Sequence, residues 1–475
     1  MSCRLRLWLD SLYEMSVKSH DDLSVAEAAP VADSDAAALE LRVVRKLDRN
    51  FLSLLCNARV AGMDKDLSLS SGQYQWLLTI FYIFYIIAEP LTFMYKVISP
   101  RTWVPILVLG WGIAATAQAA TQSFAGMMVC RALLATFEAG YGPGTIYLLS
   151  FFYLRREIGL RIGIFFSAAP LATCFAGALA YAITSGHSHL ANWRLLFLVE
   201  GIPVLIMSVV TYFAMPSSPH DAWFLDEDEK RVALARGVRQ AGKGPRVGKF
   251  SWEQTFSTFL DLKAWLTAVM YFSCNVSYAS LPVFLPTILE DLGYSGLDAQ
   301  GLSAPPYFIS FLVTIASTFI ADRTQQRGVT VITLALIASA GYIMLAAASS
   351  SSVRYGGVYL AAVGLFPTIA NILPWVLSNQ GNDERRGAGI VLLNLVGQCG
   401  PLLGTRLYPK SERPHYTKGH EICAAFMGFT ALLALCLRLL LMWENRKLAE
   451  KCPTVEDAEN AEGEENYGPS FRYVL

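Results

Sequence analysis

Arg131 and Glu138 stand seven residues apart in the mostly apolar run 124–153, and that spacing gives them a common direction. Seven residues are two turns of an α-helix, so the guanidinium and the carboxyl share a face to within roughly 20°. A cation fixed there can hold a substrate carboxylate while the acid beside it takes up and releases a proton. The same pair can instead form an internal ion pair that fixes helix packing. Both readings have Arg131 and Glu138 facing a cavity or each other, because a charge buried in a bilayer costs a few kcal/mol.

Other polar residues sit in similar apolar surroundings. Tyr85 and Glu89 lie one turn apart, and Glu89 directly precedes Pro90. Tyr85 is a candidate cavity hydroxyl for substrate; Glu89 is a candidate gate or a packing partner of Lys96 or Arg101. Arg194 and Glu200, in the outer part of the run 193–214, read as a structural pair in preference to a substrate site. Further along, the candidates are uncharged: Asn275, Asn371, Asn394 and Gln398, each able to bind substrate or to bond helices together. Asn371 is flanked by Pro367 and Pro374, and interrupted helices expose backbone at transport sites. The run Asp322-Arg323-Thr324-Gln325-Gln326-Arg327-Gly328 places an acid at a helix end with arginines after it. Asp322, Arg323 and Arg327 can latch neighbouring helices by charge-assisted bonds, a latch whose opening gates one face.

Enzymatic and metal chemistry find little support. No G-x-S-x-G, Walker or dinucleotide-binding pattern occurs at a strand–helix junction, so no catalytic residue is assigned. His187 and His189 form an isolated H-x-H, whereas a zinc site needs three or four ligands. The nine cysteines include no C-x-x-C pair and read as apolar filler. No metal, cofactor or nucleic acid is expected; net charge is zero and no basic face stands out.

The elements that must position these residues are membrane helices. Mean hydropathy is +0.39, with 54% apolar and 16% charged residues. Eleven long apolar stretches fall near 74–98, 102–121, 124–153, 161–185, 193–214, 263–289, 301–321, 329–349, 353–379, 386–406 and 420–443. About 20 residues span the roughly 30 Å hydrocarbon core as a helix, the form that satisfies its own backbone in lipid. The predicted division is a disordered cytoplasmic arm over 1–50, a first bundle over 51–214, a cytoplasmic connection over 215–262, a six-helix bundle over 263–443, and an acidic, disordered cytoplasmic tail over 444–475. Arg4 and Arg6 are followed by Asp10 and Glu14 before any apolar run, which does not fit a secretory signal.

Lys and Arg collect on alternate loops: Lys96 and Arg101, then Arg155, Arg156 and Arg161, the connection, Arg323 and Arg327, Arg385 and Arg386, and Arg446 and Lys447. The loop at 406–419 is an exception, but the bias places the connection and the C-tail in the cytoplasm. The stretches starting at 74, 102, 124, 161 and 193 recur at 301, 329, 353, 386 and 420, an offset of about 227 residues, which marks two parallel repeats. The stretch at 263–289 then requires a counterpart near 36–62, where only Phe51–Cys56 is apolar. Eleven spans are predicted where twelve are expected. A twelfth between Leu55 and Asn57 would also bring the N-terminus to the cytoplasmic side, where Arg42, Arg45, Lys46 and Arg49 belong.

These motifs resemble a known family. D-R-T-Q-Q-R-G (322–328) is similar to the signature loop of the major facilitator superfamily. The runs at 57–63, 130–144, 150–161, 192–203 and 354–364 resemble fungal anion:cation symporters of the allantoate and nicotinate permease group. The resemblance implies an all-α membrane protein of two pseudo-repeat bundles and proton-coupled uptake of a small organic anion by alternating access. Arg131 and Glu138 match that family's charged pair in the fourth span. Family members usually carry an L-D-R-x-N-I-x-N-A-like motif ending the first span; here Leu47-Asp48-Arg49 precedes the apolar remnant, and the chain passes from Cys56 straight to Asn57. The first-repeat loop Lys96–Arg101 also lacks the signature acid. The expectation is a plasma-membrane monomer that is not an enzyme and whose partners are a small organic anion, protons and the lipid bilayer. Alternatives are a non-transporting sensor or receptor on a transporter scaffold, or an inactive product of a mis-joined gene model.

Overall fold

A computed structural model describes residues 71–185, 190–216, 218, 221–241, 251–291, 293, 296–451 and 471–475. Among them every regular element is helical: α1 (Ser71–Ala88, continued by a tighter 3-10 stretch, Glu89–Lys96), α2 (Pro100–Ala117), α3 (Phe124–Phe152), α4 (Ile158–Ser185), α5 (Asn192–Ala214), α6 (Glu227–Ala241), α7 (Trp252–Phe259), α8 (Leu262–Asp291), α9 (Gly296–Thr324), α10 (Arg327–Ala347), α11 (Ser351–Ser378), α12 (Asp383–Gly397), α13 (Cys399–Gly404) and α14 (Thr417–Lys451). The predicted arm over 1–50, the apolar remnant Phe51–Cys56, the Leu47-Asp48-Arg49 run and the His187/His189 pair lie outside the described residues.

Local signals start several of these helices. The Ser123 hydroxyl accepts the Gly126 N–H at the start of α3, and the Asn382 side chain accepts the Arg385 N–H at the start of α12. At the start of α6, Asp226 and Glu229 exchange side-chain and backbone bonds of 2.9 and 3.1 Å, a reciprocal capping box. The connection read as merely polar therefore carries two helices, α6 and α7.

Helices occupy all eleven predicted spans, and counted over the described residues alone nine are long and apolar enough to cross a membrane by length and composition. The other two are α3 and α8, of 29 and 30 residues. Their length suffices, at roughly 44 Å for 29 residues. α3 falls short in composition because it carries Arg131 and Glu138 into the apolar run, whereas α8 has Asn275 and several serines but no charged residue over 264–289. The span predicted over 386–406 is crossed by α12 and α13 together, with a one-residue interruption at Gln398 where the backbone stays in the right-handed helical region.

The two halves pack alike. In the first, α1 lies on α3 and α2 lies on both α3 and α5; in the second, α9 lies on α11 and α10 on both α11 and α14. This is the internal repeat expressed as packing. The counterpart expected for α8 in the first half, near 36–62, lies outside the described residues. The halves meet chiefly along α4 and α9, with α1 against α12 and α13 as the symmetric counterpart. Gly159 and Gly163, one turn apart on α4, set the closeness of that crossing. A Cβ at Gly163 would overlap Thr318, and one at Gly159 would overlap the Asp322 and Arg327 side chains. The tail departs from the expectation of disorder at both ends described: α14 continues to Lys451, and Phe471 and Tyr473 are buried.

Candidate substrate and gating sites

Arg131 projects from α3 into the first half, within electrostatic reach of two carboxyls: Glu138 on its own helix and Glu200 on α5. The second was not legible in the sequence, where Glu200 reads as the partner of Arg194. Arg194 is used otherwise. Its guanidinium donates to the Ala119 and Thr121 carbonyls, at 2.8 and 3.0 Å, and lies 4.5 Å from the Trp193 ring. That releases Glu200, whose Oε1 is buried with no hydrogen-bond partner. The only sequence signal was an acid in the middle of an apolar span.

Tyr85 and Glu89 of the first half meet the second half at α8. Tyr85 is within electrostatic reach of Glu89, Glu138, Tyr271 and Tyr278, and Glu89 is also within reach of Tyr271. Glu89 is fully buried where α1 tightens before Pro90; the Thr92 hydroxyl donates to its Oε2 at 3.5 Å, and its Oε1 has no partner. Neither Lys96 nor Arg101 pairs with it in the way packing would require: Lys96 is engaged across the bundle and Arg101 lies over the Tyr212 ring. Asn275 completes this side. Its amide donates to the Gly397 carbonyl at 3.2 Å, beside the break at Gln398, and Tyr271 fills the space a Gly397 side chain would need. The structure thus brings Tyr85, Glu89, Glu138, Asn275 and the Gln398 break toward one another, together with Tyr271 and Tyr278, which sequence reasoning did not single out.

The other two amides are placed differently. Asn394 returns its amide to the Ile390 carbonyl one turn back on α12, at 2.9 Å. Asn371 donates to Ser317 Oγ on α9 at 3.1 Å and to the Pro367 carbonyl at 2.9 Å, a bond between helices. Its Oδ1 is left buried and without a partner.

The gating candidates divide. Asp322 pairs with Arg327 and accepts the Leu160 backbone N–H of α4 at 2.5 Å, so one carboxylate ties the two halves. The Arg327 side chain is fully buried. Arg323, predicted with them, is exposed and stands apart from this latch. Glu89 lies inward, as described. A second latch, unanticipated, joins the halves through Lys96: its Nζ is 3.3 Å from Glu384 and 3.7 Å from Asp383, and all three side chains are buried or nearly so. Beside it the Tyr147 hydroxyl donates to the Asp383 carbonyl at 2.9 Å. The signal was present as the charge run Asp383-Glu384-Arg385-Arg386, read only for its arginines. Both latches lie on the face that carries the basic loops.

Among the described residues no group of His, Cys, Asp and Glu could hold a metal ion. Around Arg131 and Tyr85 the interior gathers a guanidinium, the carboxyls of Glu89, Glu138 and Glu200, and several hydroxyls and amides, a set suited to holding an anion and moving protons.

The model of the Major Facilitator Superfamily matches residues 51–405. An MFS transporter, prlL, of Fungal sp. (strain NRRL 50135), is 32% identical over 397 residues, covering 82% of this chain and 80% of the relative. A high-affinity nicotinic acid transporter of Saccharomyces cerevisiae is 28% identical over 460 residues, covering 93% and 86%. Among solved structures, the proton:xylose symporter XylE aligns with a TM-score of 0.61 at 15% identity, covering 84% of this chain and 91% of that one. The transporter FucP in its outward conformation aligns with a TM-score of 0.59 at 14% identity, covering 85% and 96%.

Proposed function

This chain belongs to the Major Facilitator Superfamily, a multi-pass family of membrane transporters, and on that premise we propose that it moves a small organic anion together with protons by alternating access. The observation that carries the proposal is the sharing of Arg131 between Glu138 and Glu200. With both acids ionised, the guanidinium is over-compensated and an incoming carboxylate meets net negative charge. Once an acid is protonated, the guanidinium is free to take the substrate by charge-assisted hydrogen bonds. Anion and proton then load together and leave together, which is symport. Arg131 is the anion contact in this scheme, Glu138 the coupling acid, and Glu200 the acid that competes with substrate. Tyr85, Asn275 and Gln398 line the path between the halves.

The two latches belong to alternating access. Asp322 with Arg327, and Lys96 with Asp383 and Glu384, hold the basic face closed, and their separation would open it. The loop charge bias supports placing that face in the cytoplasm, with both termini there and the plasma membrane as the site of uptake. The nicotinic acid transporter among the relatives makes nicotinate the first probe to test.

The test uses the purified chain in proteoliposomes with labelled nicotinate and a panel of other small carboxylates. Accumulation driven by an inward proton gradient and abolished by a protonophore is expected for at least one of them. Saturable binding with no flux under any gradient would replace the transporter reading with that of a receptor.

A further inference from the structure

The residues Phe471–Leu475 take no part in the interior just described and are held by a dense set of contacts. Asn379, at the end of α11, accepts the Val474 N–H and donates to the Val474 carbonyl, at 2.8 and 3.0 Å. Asn445 of α14 does the same for Tyr473, at 2.8 and 2.9 Å. Two carboxamides thus each read both polar groups of one backbone residue, much as a sheet edge reads an added strand. The Trp375 indole adds a second bond to the Val474 carbonyl at 2.8 Å, and the Gly328 N–H bonds the Leu475 carbonyl oxygen at 3.0 Å.

The side chains are accommodated as specifically. Phe471 and Tyr473 are 3% and 9% exposed and meet edge to face, with centroids 5.0 Å apart. Arg155 lies 4.3 Å over the Phe471 ring and donates to the Arg472 carbonyl at 2.8 Å, while Lys263 lies 5.2 Å from the Tyr473 ring. Arg155 comes from the α3–α4 junction of the first half; Lys263, Gly328, Trp375, Asn379 and Asn445 come from the second. Gly328 directly follows Arg327 of the first latch.

We infer that the basic face of the bundle carries a binding groove for an extended aromatic peptide, and that residues 471–475 fill it in cis as a strap across the two halves. The groove recognises backbone through Asn379 and Asn445 and aromatic rings through Arg155 and Lys263. Because Arg155 belongs to one half and the asparagines to the other, the halves cannot part on this face while the segment is bound. The strap therefore biases the molecule toward the state closed on that face, and anything that withdraws it favours opening. The gating half of this inference rests on the transporter reading above. Its test involves no flux, so either can fail without the other.

The test compares hydrogen–deuterium exchange of the full chain and a chain lacking 471–475, both in nanodiscs. Deletion is expected to accelerate exchange by about tenfold both at 155–161 in the first half and at 322–328 and 378–386 in the second. Adding the peptide acetyl-Phe-Arg-Tyr-Val-Leu to the shortened chain should restore protection at all three segments, and should fail to do so when Asn379→Ala and Asn445→Ala are combined. Restoration separates loss of the strap from general damage to the fold. Unchanged exchange on deletion, acceleration confined to the second half, or acceleration that the peptide does not reverse would each overturn the inference.

Discussion

Arg131 is the residue on which most of the proposed chemistry turns, and its planar fork matters as much as its charge. Arg131→Lys keeps the cation but loses two-pronged carboxylate binding. It is expected to raise the KM for the transported anion by about tenfold, or about 1.4 kcal/mol, with a smaller change in maximal rate; initial-rate uptake checks it. The two acids differ in role and so in phenotype. Glu138→Gln is expected to abolish accumulation against a gradient while sparing exchange of labelled for unlabelled substrate, since exchange requires no net proton movement. Glu200→Gln removes a competitor for the guanidinium and is expected to tighten substrate binding, most clearly at high pH, where the acid would otherwise be ionised. Equal loss of both modes in the two variants would remove the distinction. At this scale the sequence was partly legible. Arg131 and Glu138 announce themselves by helical spacing on a single element. The proximity of Glu200 depends on how α5 leans on its neighbours, and no spacing along the chain encodes that. Arg194 misled for the same reason: it lies nearer Glu200 in sequence, but its bonds go to the carbonyls at the turn after α2.

At the scale of elements, the α4–α9 crossing is built from small residues on one side and a polar latch on the other. The latch carries a stability cost that can be measured. Asp322→Asn leaves the fully buried Arg327 without its counter-charge, a change worth about 3–5 kcal/mol when an ion pair is broken on one side only. A marked fall in the unfolding temperature in detergent is expected, and Asp322→Asn combined with Arg327→Gln should recover much of it. If the double variant were no more stable than the single, the pair would not be the source of the loss. Span positions were legible almost throughout, because a 20-residue apolar run has few other uses. The interruption at Gln398 was legible too but went unread: Pro401 has no N–H to offer the Gly397 carbonyl four residues back, and Asn275 takes that carbonyl instead. Not legible were α6 and α7, short helices whose charged surfaces read as loop.

For the whole molecule, the arrangement of halves follows from the repeat, and the contacts between them do not. An offset of about 227 residues, 301 minus 74, predicts which helices correspond. It is silent on Lys96 reaching Asp383 and Glu384, which lie nearly 290 residues further along the chain. Lys96→Glu would place three acids together at this junction and is expected to suppress transport by lifting the halves apart on the basic face. Lys96→Glu with Glu384→Lys should restore a measurable part of the rate, and uptake by the three chains side by side decides it. The composition of α3 has a further consequence, for how the protein is made. An Arg or an Asp near the centre of a span costs about 2.5–3.5 kcal/mol in partitioning from the translocon, and α3 carries both Arg131 and Glu138. Such a helix gains little by entering lipid alone. The retention of α3 in the bilayer is therefore expected to depend on neighbours already made, α1 and α2, which both pack on it. Biogenesis of this half is in that sense a matter of timing, with the helix that carries Arg131 and Glu138 secured in the membrane by the two made before it.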